Sequence, residues 1–181
     1  MVNLSPQAQK TFDRMTEYRT HYLTMPASAH TMTMNAFDVP HLIHLHKFTD
    51  VEVIHSDFST YAFICVDATM PRSTHKFRMK VRSFVPNELI VDVFTTSGDH
   101  MYTTIEINED LEENKCKHTE IFLYNKESTQ FTRPFMESVF KSKQPITHED
   151  EVILDQVTTH LPEEGIDPIM DEYIKWYQRT I

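Results

Sequence analysis

The middle of the chain, from about residue 50 to residue 125, carries the hydrophobic pattern of a β-sheet. Apolar and polar side chains alternate in short runs rich in β-branched and aromatic residues, and turn-forming residues separate these runs. Such runs with short turns between them are typical of an antiparallel meander of five or six strands. The predicted strands contain Val51 and Val53, then Tyr61 to Cys65, His75 to Phe84, Glu88 to Thr96, Met101 to Ile107 and Cys116 to Tyr124.

Helical periodicity appears on both sides of this region. Ser5 and Pro6 form the start signal of a helix that the apolar spacing extends over residues 5–23, and a short strand is expected from His30 to Met34. After Asn125 the pattern predicts three further helices. One carries Phe131, Phe135, Val139 and Phe140; one opens with a capping box from Thr147 to Asp150 and continues through Val152, Ile153, Val157 and Leu161; the last runs from Ile169 to Tyr177.

An antiparallel sheet with one apolar face needs helices to cover that face. We therefore expect one α+β domain over residues 1–181, in which a curved antiparallel sheet wraps around a long C-terminal helix and a cavity lies between them. Such a cavity is the default place for a ligand.

The composition removes several functional classes. The formal net charge of -10 argues against a nucleic-acid partner, and two glycines are too few for a P-loop or a dinucleotide fingerprint. No apolar run is long enough to span a membrane, and the first ten residues have no apolar leader segment. The two cysteines form no disulfide framework, so we expect a cytoplasmic protein.

The chemistry is concentrated in residues 35–46, where Asp38, His41, His44 and His46 lie within nine positions. Histidine and carboxylate side chains are good ligands for transition metals. On an ideal helix His41 and His44 are roughly 60° apart, but His41 and His46 are roughly 140° apart. The second pair therefore needs a π-bulge or a helix that ends before His46. Purely structural roles remain open: Asp38 as an N-cap, His41 as a hydrogen-bonded core residue and His44 as a surface residue.

This segment resembles the mononuclear-iron segment of Rieske-type non-haem iron ring-hydroxylating oxygenases, whose pattern is N-x2-D-x2-H-x4-H. Asn35, Asp38, His41 and His46 match that pattern. The late acidic stretch at Glu149 and Asp150 is similar to the family's acidic helix start. The resemblance covers nearly the whole chain and implies a helix-grip fold of the START and Bet v 1-like class.

The resemblance also implies roles for these residues. His41, His46 and Asp150 would bind one Fe(II), with Glu149 as the next choice for the third ligand. Asn35 and Asp38 would support the catalytic site, and Asp38 would connect it to the Rieske cluster of a neighbouring subunit. His44 would not contact the metal.

One departure from the family concerns the electron source. A Rieske cluster needs a C-x-H pair and a C-x2-H pair. Cys116 and His118 have the first spacing, but Cys65 has no histidine at the second. This chain therefore resembles an isolated catalytic domain that holds no Rieske cluster and depends on an external ferredoxin or Rieske protein.

Two functions remain open. The first is an iron-dependent oxygenase-like oxidoreductase that acts on an apolar or aromatic small molecule. The alternative is a non-enzymatic helix-grip carrier of a hydrophobic ligand with a vestigial or adventitious metal site. The substrate and the oligomeric state stay undefined by the sequence.

Overall fold

A single antiparallel sheet dominates the computed structural model, which describes residues 2–71, 74–112, 114–156 and 167–181. Within these ranges the sheet has seven strands in the order β1-β7-β6-β5-β4-β3-β2. The helices are α1 (Pro6–Phe12), α2 (Ala29–Asn35), α3 (Val39–His44), α4 (Arg133–Gln156) and α5 (Pro168–Thr180). The strands are β1 (Thr16–Met25), β2 (Thr49–Asp57), β3 (Ala62–Thr69), β4 (Lys76–Ser83), β5 (Glu88–Thr95), β6 (His100–Glu112) and β7 (Lys115–Tyr124).

The two faces of the sheet bury different helices. Met170, Tyr173 and Trp176 of α5 pack on one face, against a cluster of strand residues that includes Val81 and Leu89. Ala8 of α1 belongs to a separate cluster on isoleucine and leucine side chains of β5, β6 and β7. The fold is therefore the expected α+β helix-grip arrangement of a curved antiparallel sheet with helices.

The predicted meander is confirmed, since β2 to β7 pair in sequence order. Two predictions about the preceding residues were wrong. The first helix ends at Phe12, and residues 16–25 form β1, which pairs with β7 from Thr16 opposite Tyr124 to Met25 opposite Cys116. Threonine and aromatic side chains in this segment suit a strand, and pairing with β7 outweighs the weak helical spacing.

The expected strand from His30 to Met34 is instead the helix α2. Ser28 caps this helix, because its hydroxyl oxygen accepts a hydrogen bond from the backbone N–H of Thr31 at 3.1 Å. The cap and the burial of Met32 and Met34, which pack into two different hydrophobic clusters, decide the local structure.

The expected helix start at Thr147 was also wrong. Residues 133–156 form one continuous helix, α4, and the Thr147 hydroxyl donates to the carbonyl of Lys143 inside it. Asp150 therefore makes no capping interaction and faces α3 instead. Val157 and Leu161 of that predicted helix lie outside the described residues. The last helix, α5, is confirmed.

None of the helices in the described ranges is long and apolar enough to cross a membrane.

Candidate metal centre

The helix α3 is short because both of its ends are set locally. Asp38 is its N-cap, and its Oδ1 accepts a hydrogen bond from the backbone N–H of His41 at 3.1 Å. The helix ends at His44, and Lys47 then takes a left-handed backbone conformation with φ of 58°. His46 therefore lies just beyond the helix, which is the second of the two geometries that its pairing with His41 requires.

The turn after α3 brings the two imidazole rings together. The Nε2 atoms of His41 and His46 are 3.0 Å apart, with the rings nearly perpendicular. His46 is buried, with 5% of its surface exposed. His44 is exposed and is not part of this group.

The carboxylate arrives from α4, more than one hundred residues later in the chain. Oδ1 of Asp150 lies 2.8 Å from Nε2 of His41 and 3.2 Å from Nε2 of His46. The side-chain amide of Asn35, at the end of α2, donates to the same Oδ1 at 3.2 Å. Three residues of the matched pattern, Asn35, His41 and His46, thus each have a side-chain nitrogen within 3.2 Å of one carboxylate oxygen of Asp150.

The donor set fits a divalent transition metal. An octahedral ion with bonds of about 2.1 Å at right angles holds neighbouring ligand atoms about 3.0 Å apart, whereas a tetrahedral ion holds them about 3.4 Å apart. The three distances among the two Nε2 atoms and Oδ1 are 2.8, 3.0 and 3.2 Å. Among the described residues, His41, His46 and Asp150 form the group whose possible metal-ligand atoms lie this close together.

Glu149 has a different position from Asp150. Its Oε2 lies 3.0 Å from Nδ1 of His46, on the side of the ring away from Nε2. A carboxylate only accepts hydrogen bonds, so Nδ1 of His46 donates to Glu149, and a metal ion at Nε2 would displace the proton that this atom otherwise donates to Asp150. This is the arrangement by which carboxylates orient metal-binding histidines.

The charges of the group support one another. Burial would raise the pKa of Asp150, but hydrogen bonds from the two histidines and their charges outweigh it and lower the pKa to about 2. Burial would lower the pKa of His46, but its contacts with Asp150 and Glu149 raise it. Asp150 is therefore ionised at neutral pH.

Asp38 touches the centre through the backbone of His41 rather than through its ring. The contact positions the histidine by fixing the first turn of α3. A route for electrons through Asp38 stays a prediction.

A second polar cluster, which the sequence motifs did not indicate, lies on β6 and β7. Glu106 and Glu120 are opposite each other on β6 and β7, and both bind Lys143 of α4. His118 is buried, and its Nδ1 lies 2.8 Å from Oδ1 of Asn108. Alternate residues of a strand point to the same face, so the sequence does predict that Glu106 shares a face with Asn108 and that His118 shares one with Glu120.

Both cysteines are free thiols in the core. Cys116 belongs to a hydrophobic cluster with Met25 and Met32, and the neighbouring His118 is engaged with Asn108.

The fold and the site geometry together define a helix-grip domain with a candidate metal centre between α3 and α4. No protein-family model matches the chain, and no curated protein does either. Solved structures show where its fold occurs. Dicamba monooxygenase bound to dicamba is 14% identical with a TM-score of 0.66, over 98% of this chain and 62% of that one.

Two other structures place the fold in a wider group. The quaternary ammonium Rieske monooxygenase CntA is 14% identical with a TM-score of 0.62, over 97% of this chain and 52% of that one. A START superfamily protein from Mycobacterium smegmatis is 12% identical with a TM-score of 0.60, over 77% of this chain and 97% of that one. The chain thus has the fold of both classes, and it spans about half the length of CntA.

Proposed function

We propose that this chain is a non-haem iron oxygenase-type catalytic domain in which His41, His46 and Asp150 bind one Fe(II). The observation that supports this most strongly is the triangle of two Nε2 atoms and one Oδ1, with edges of 2.8 to 3.2 Å. An ion held by two histidines and one carboxylate keeps open positions for O2 and supplies oxidation chemistry.

The surrounding residues have positioning tasks. Glu149 fixes the protonation and orientation of the His46 ring, Asn35 holds the Asp150 carboxylate, and Asp38 fixes the helix turn that carries His41. Their contacts order the three ligand groups before an ion arrives, which lowers the cost of binding.

The remaining requirements of the function lie outside the chain. No C-x2-H pair accompanies Cys116 and His118, so the chain carries no Rieske cluster of its own. A ferredoxin or a Rieske protein would supply electrons. The substrate would be an apolar or aromatic small molecule bound between the sheet and the helices.

Iron binding tests the proposal directly. Untagged protein loaded with Fe(II) under anaerobic conditions should retain about one equivalent after desalting, and His41→Ala should retain almost none. His44→Ala is the matched control, because His44 lies on the same helix but is exposed. Retention below about a tenth of an equivalent, or equal retention by His41→Ala and the wild type, would overturn the proposal.

A carrier of a hydrophobic ligand is the second candidate. The similarity to the START superfamily structure and a cavity of about 200 Å³ with the apolar side chains Leu23, Phe122 and Phe140 favour it. A tightly held apolar compound in protein that retains no iron would select this function over the first.

A further inference from the structure

A pocket of about 200 Å³ lies between α4 and the edge of the sheet formed by β1 and β7. Its apolar walls are Leu23, Phe122 and Phe140. Two charged residues, Glu120 and Lys143, also line it. A small ligand with an apolar body and one charged or polar group therefore suits its lining.

The charges behind the pocket do not balance. Nζ of Lys143 donates to Oε1 of Glu106 at 3.0 Å and also to Oε1 of Glu120, so one ammonium serves two carboxylates. The Glu120 side chain is 4% exposed and that of Glu106 is 14% exposed. Since a buried carboxylate needs a compensating charge or a proton, one of the two lacks its own partner.

Other groups around Glu120 do not supply the positive charge that the two carboxylates lack. Thr104 donates a hydrogen bond to Glu106, which is thereby better satisfied than Glu120. Arg19 lies over the ring of Phe140 but is exposed, so solvent screens its charge. Four other titratable groups are near Glu120: His21 of β1 and His148 of α4 line the pocket, His118 lies two residues away on β7, and Tyr102 of β6 interacts electrostatically with Glu120.

We propose that this pocket binds a small organic ammonium ion whose charged group pairs with Glu120 and whose apolar body lies against Phe122, Phe140 and Leu23. The ammonium supplies the positive charge that the pair of carboxylates lacks. An anion is disfavoured, because it would add a third negative charge around Lys143. A neutral ligand leaves Glu120 to be satisfied by a proton.

The ammonium replaces that proton, so binding is linked to pH. Burial, together with the charge of Glu106, raises the pKa of Glu120 to about 7 against the opposing effect of Lys143. Glu120 must ionise to pair with the ligand, and binding therefore strengthens from pH 6 to pH 8 by about tenfold. The inference does not depend on the proposed iron centre, because none of these groups is a proposed ligand of the metal.

Three probes of nearly equal shape test the proposal: benzylammonium, benzyl alcohol and benzoate. Calorimetric titration of the full chain should give affinity for benzylammonium at least about tenfold above that for the other two. Glu120→Gln should lose this preference. Glu106→Gln should also weaken benzylammonium binding, although Glu106 is behind the pocket, because Lys143 then serves Glu120 alone. Glu112→Gln, in the exposed pair with Lys115, is the control and should bind as the wild type does.

Each contrary result overturns the proposal. Preference for benzoate would show that Lys143 defines the pocket as an anion site. Equal affinity for benzylammonium and benzyl alcohol would show that the carboxylate does not distinguish charge. Absence of binding by all three probes at millimolar concentration would show that the pocket is not a ligand site. Iron retention is measured on the same preparations, so failure here and failure of the iron proposal are separately visible.

Discussion

The unusual state of Glu120 predicts that the substitution Glu120→Gln changes how stability depends on pH. In the unfolded chain this glutamate ionises near its ordinary pKa of 4.5, whereas burial raises its pKa in the folded protein to about 7. Between these values the folded state holds a proton that the unfolded state releases. Stability from this group is therefore fully present below pH 4.5 and is lost as the pH rises to 7.

The change in pKa sets the size of the effect. A difference between 4.5 and about 7 corresponds to at most about 3 kcal/mol, and coupling to Glu106 and Lys143 reduces what is observed. We expect the stability of Glu120→Gln, relative to the wild type, to rise by about 1 to 3 kcal/mol between pH 5 and pH 8, because glutamine does not titrate.

Urea unfolding at several pH values measures this difference. The single tryptophan, Trp176, is buried in α5 and reports on unfolding by its fluorescence. Glu112→Gln serves as the control, because the pKa of the exposed Glu112 is lowered by its pairing with Lys115 and it does not titrate in this range. A constant difference between Glu120→Gln and wild type from pH 5 to pH 8, or a difference that shrinks, would refute the reasoning.

Two further predictions follow from the packing of the core and the support of the metal centre. Phe37 is fully buried and stacks on Tyr173. Urea titrations should therefore show that Phe37→Ala lowers the free energy of unfolding by about 3 to 5 kcal/mol, and a loss under about 1 kcal/mol would contradict this packing. Glu149→Gln removes the carboxylate that accepts a hydrogen bond from Nδ1 of His46. In competition with a chelator, this variant should bind iron about 10- to 100-fold more weakly than the wild type, and unchanged affinity would show that Glu149 does not orient His46.

The segment that carries the candidate metal ligands His41 and His46 shows how far local sequence information reaches. The spacing of His41 and His46 left two backbone geometries open, and the choice depended on where α3 ends. That end includes a left-handed conformation at Lys47, which a lysine seldom adopts and which no simple sequence signal indicates. Local pattern therefore predicted the residues of the cluster but not the turn that joins them.

The third group of the centre depended on long-range structure. The motif at Thr147 and Asp150 matches a capping box, and from sequence alone it favoured a helix start there. Both residues lie inside α4, whose partners on β1 and β7 hold the helix in place through Met136 and Phe140. Because capping preferences are worth only about 1 kcal/mol, packing of this kind overrides them.

The buried charges were hidden from the sequence for a similar reason. Glu106 lies next to an acidic run, and a solvated loop is the usual location of such residues. Its partner Lys143 comes from a helix 37 positions later, and only the pairing of β6 with β7 places Glu120 beside both. Alternation indicates which residues share a face, but the face that meets α4 follows from the strand order.

The helix α4 connects the two candidate sites. Lys143 and Asp150 are seven residues apart, or close to two helical turns, so they lie on the same face of α4 at a separation of about 10 Å along its axis. Phe140 precedes Lys143 on α4 and Asp150 follows it, so only an ammonium ligand long enough to extend from Glu120 past Thr147, beyond the body held at Phe140, would approach the His41, His46 and Asp150 cluster with its uncharged end. The two proposals together therefore predict that an iron-loaded protein acts on the apolar end of an amine. Oxidation that removes or alters the amine end instead would separate the pocket from the metal centre.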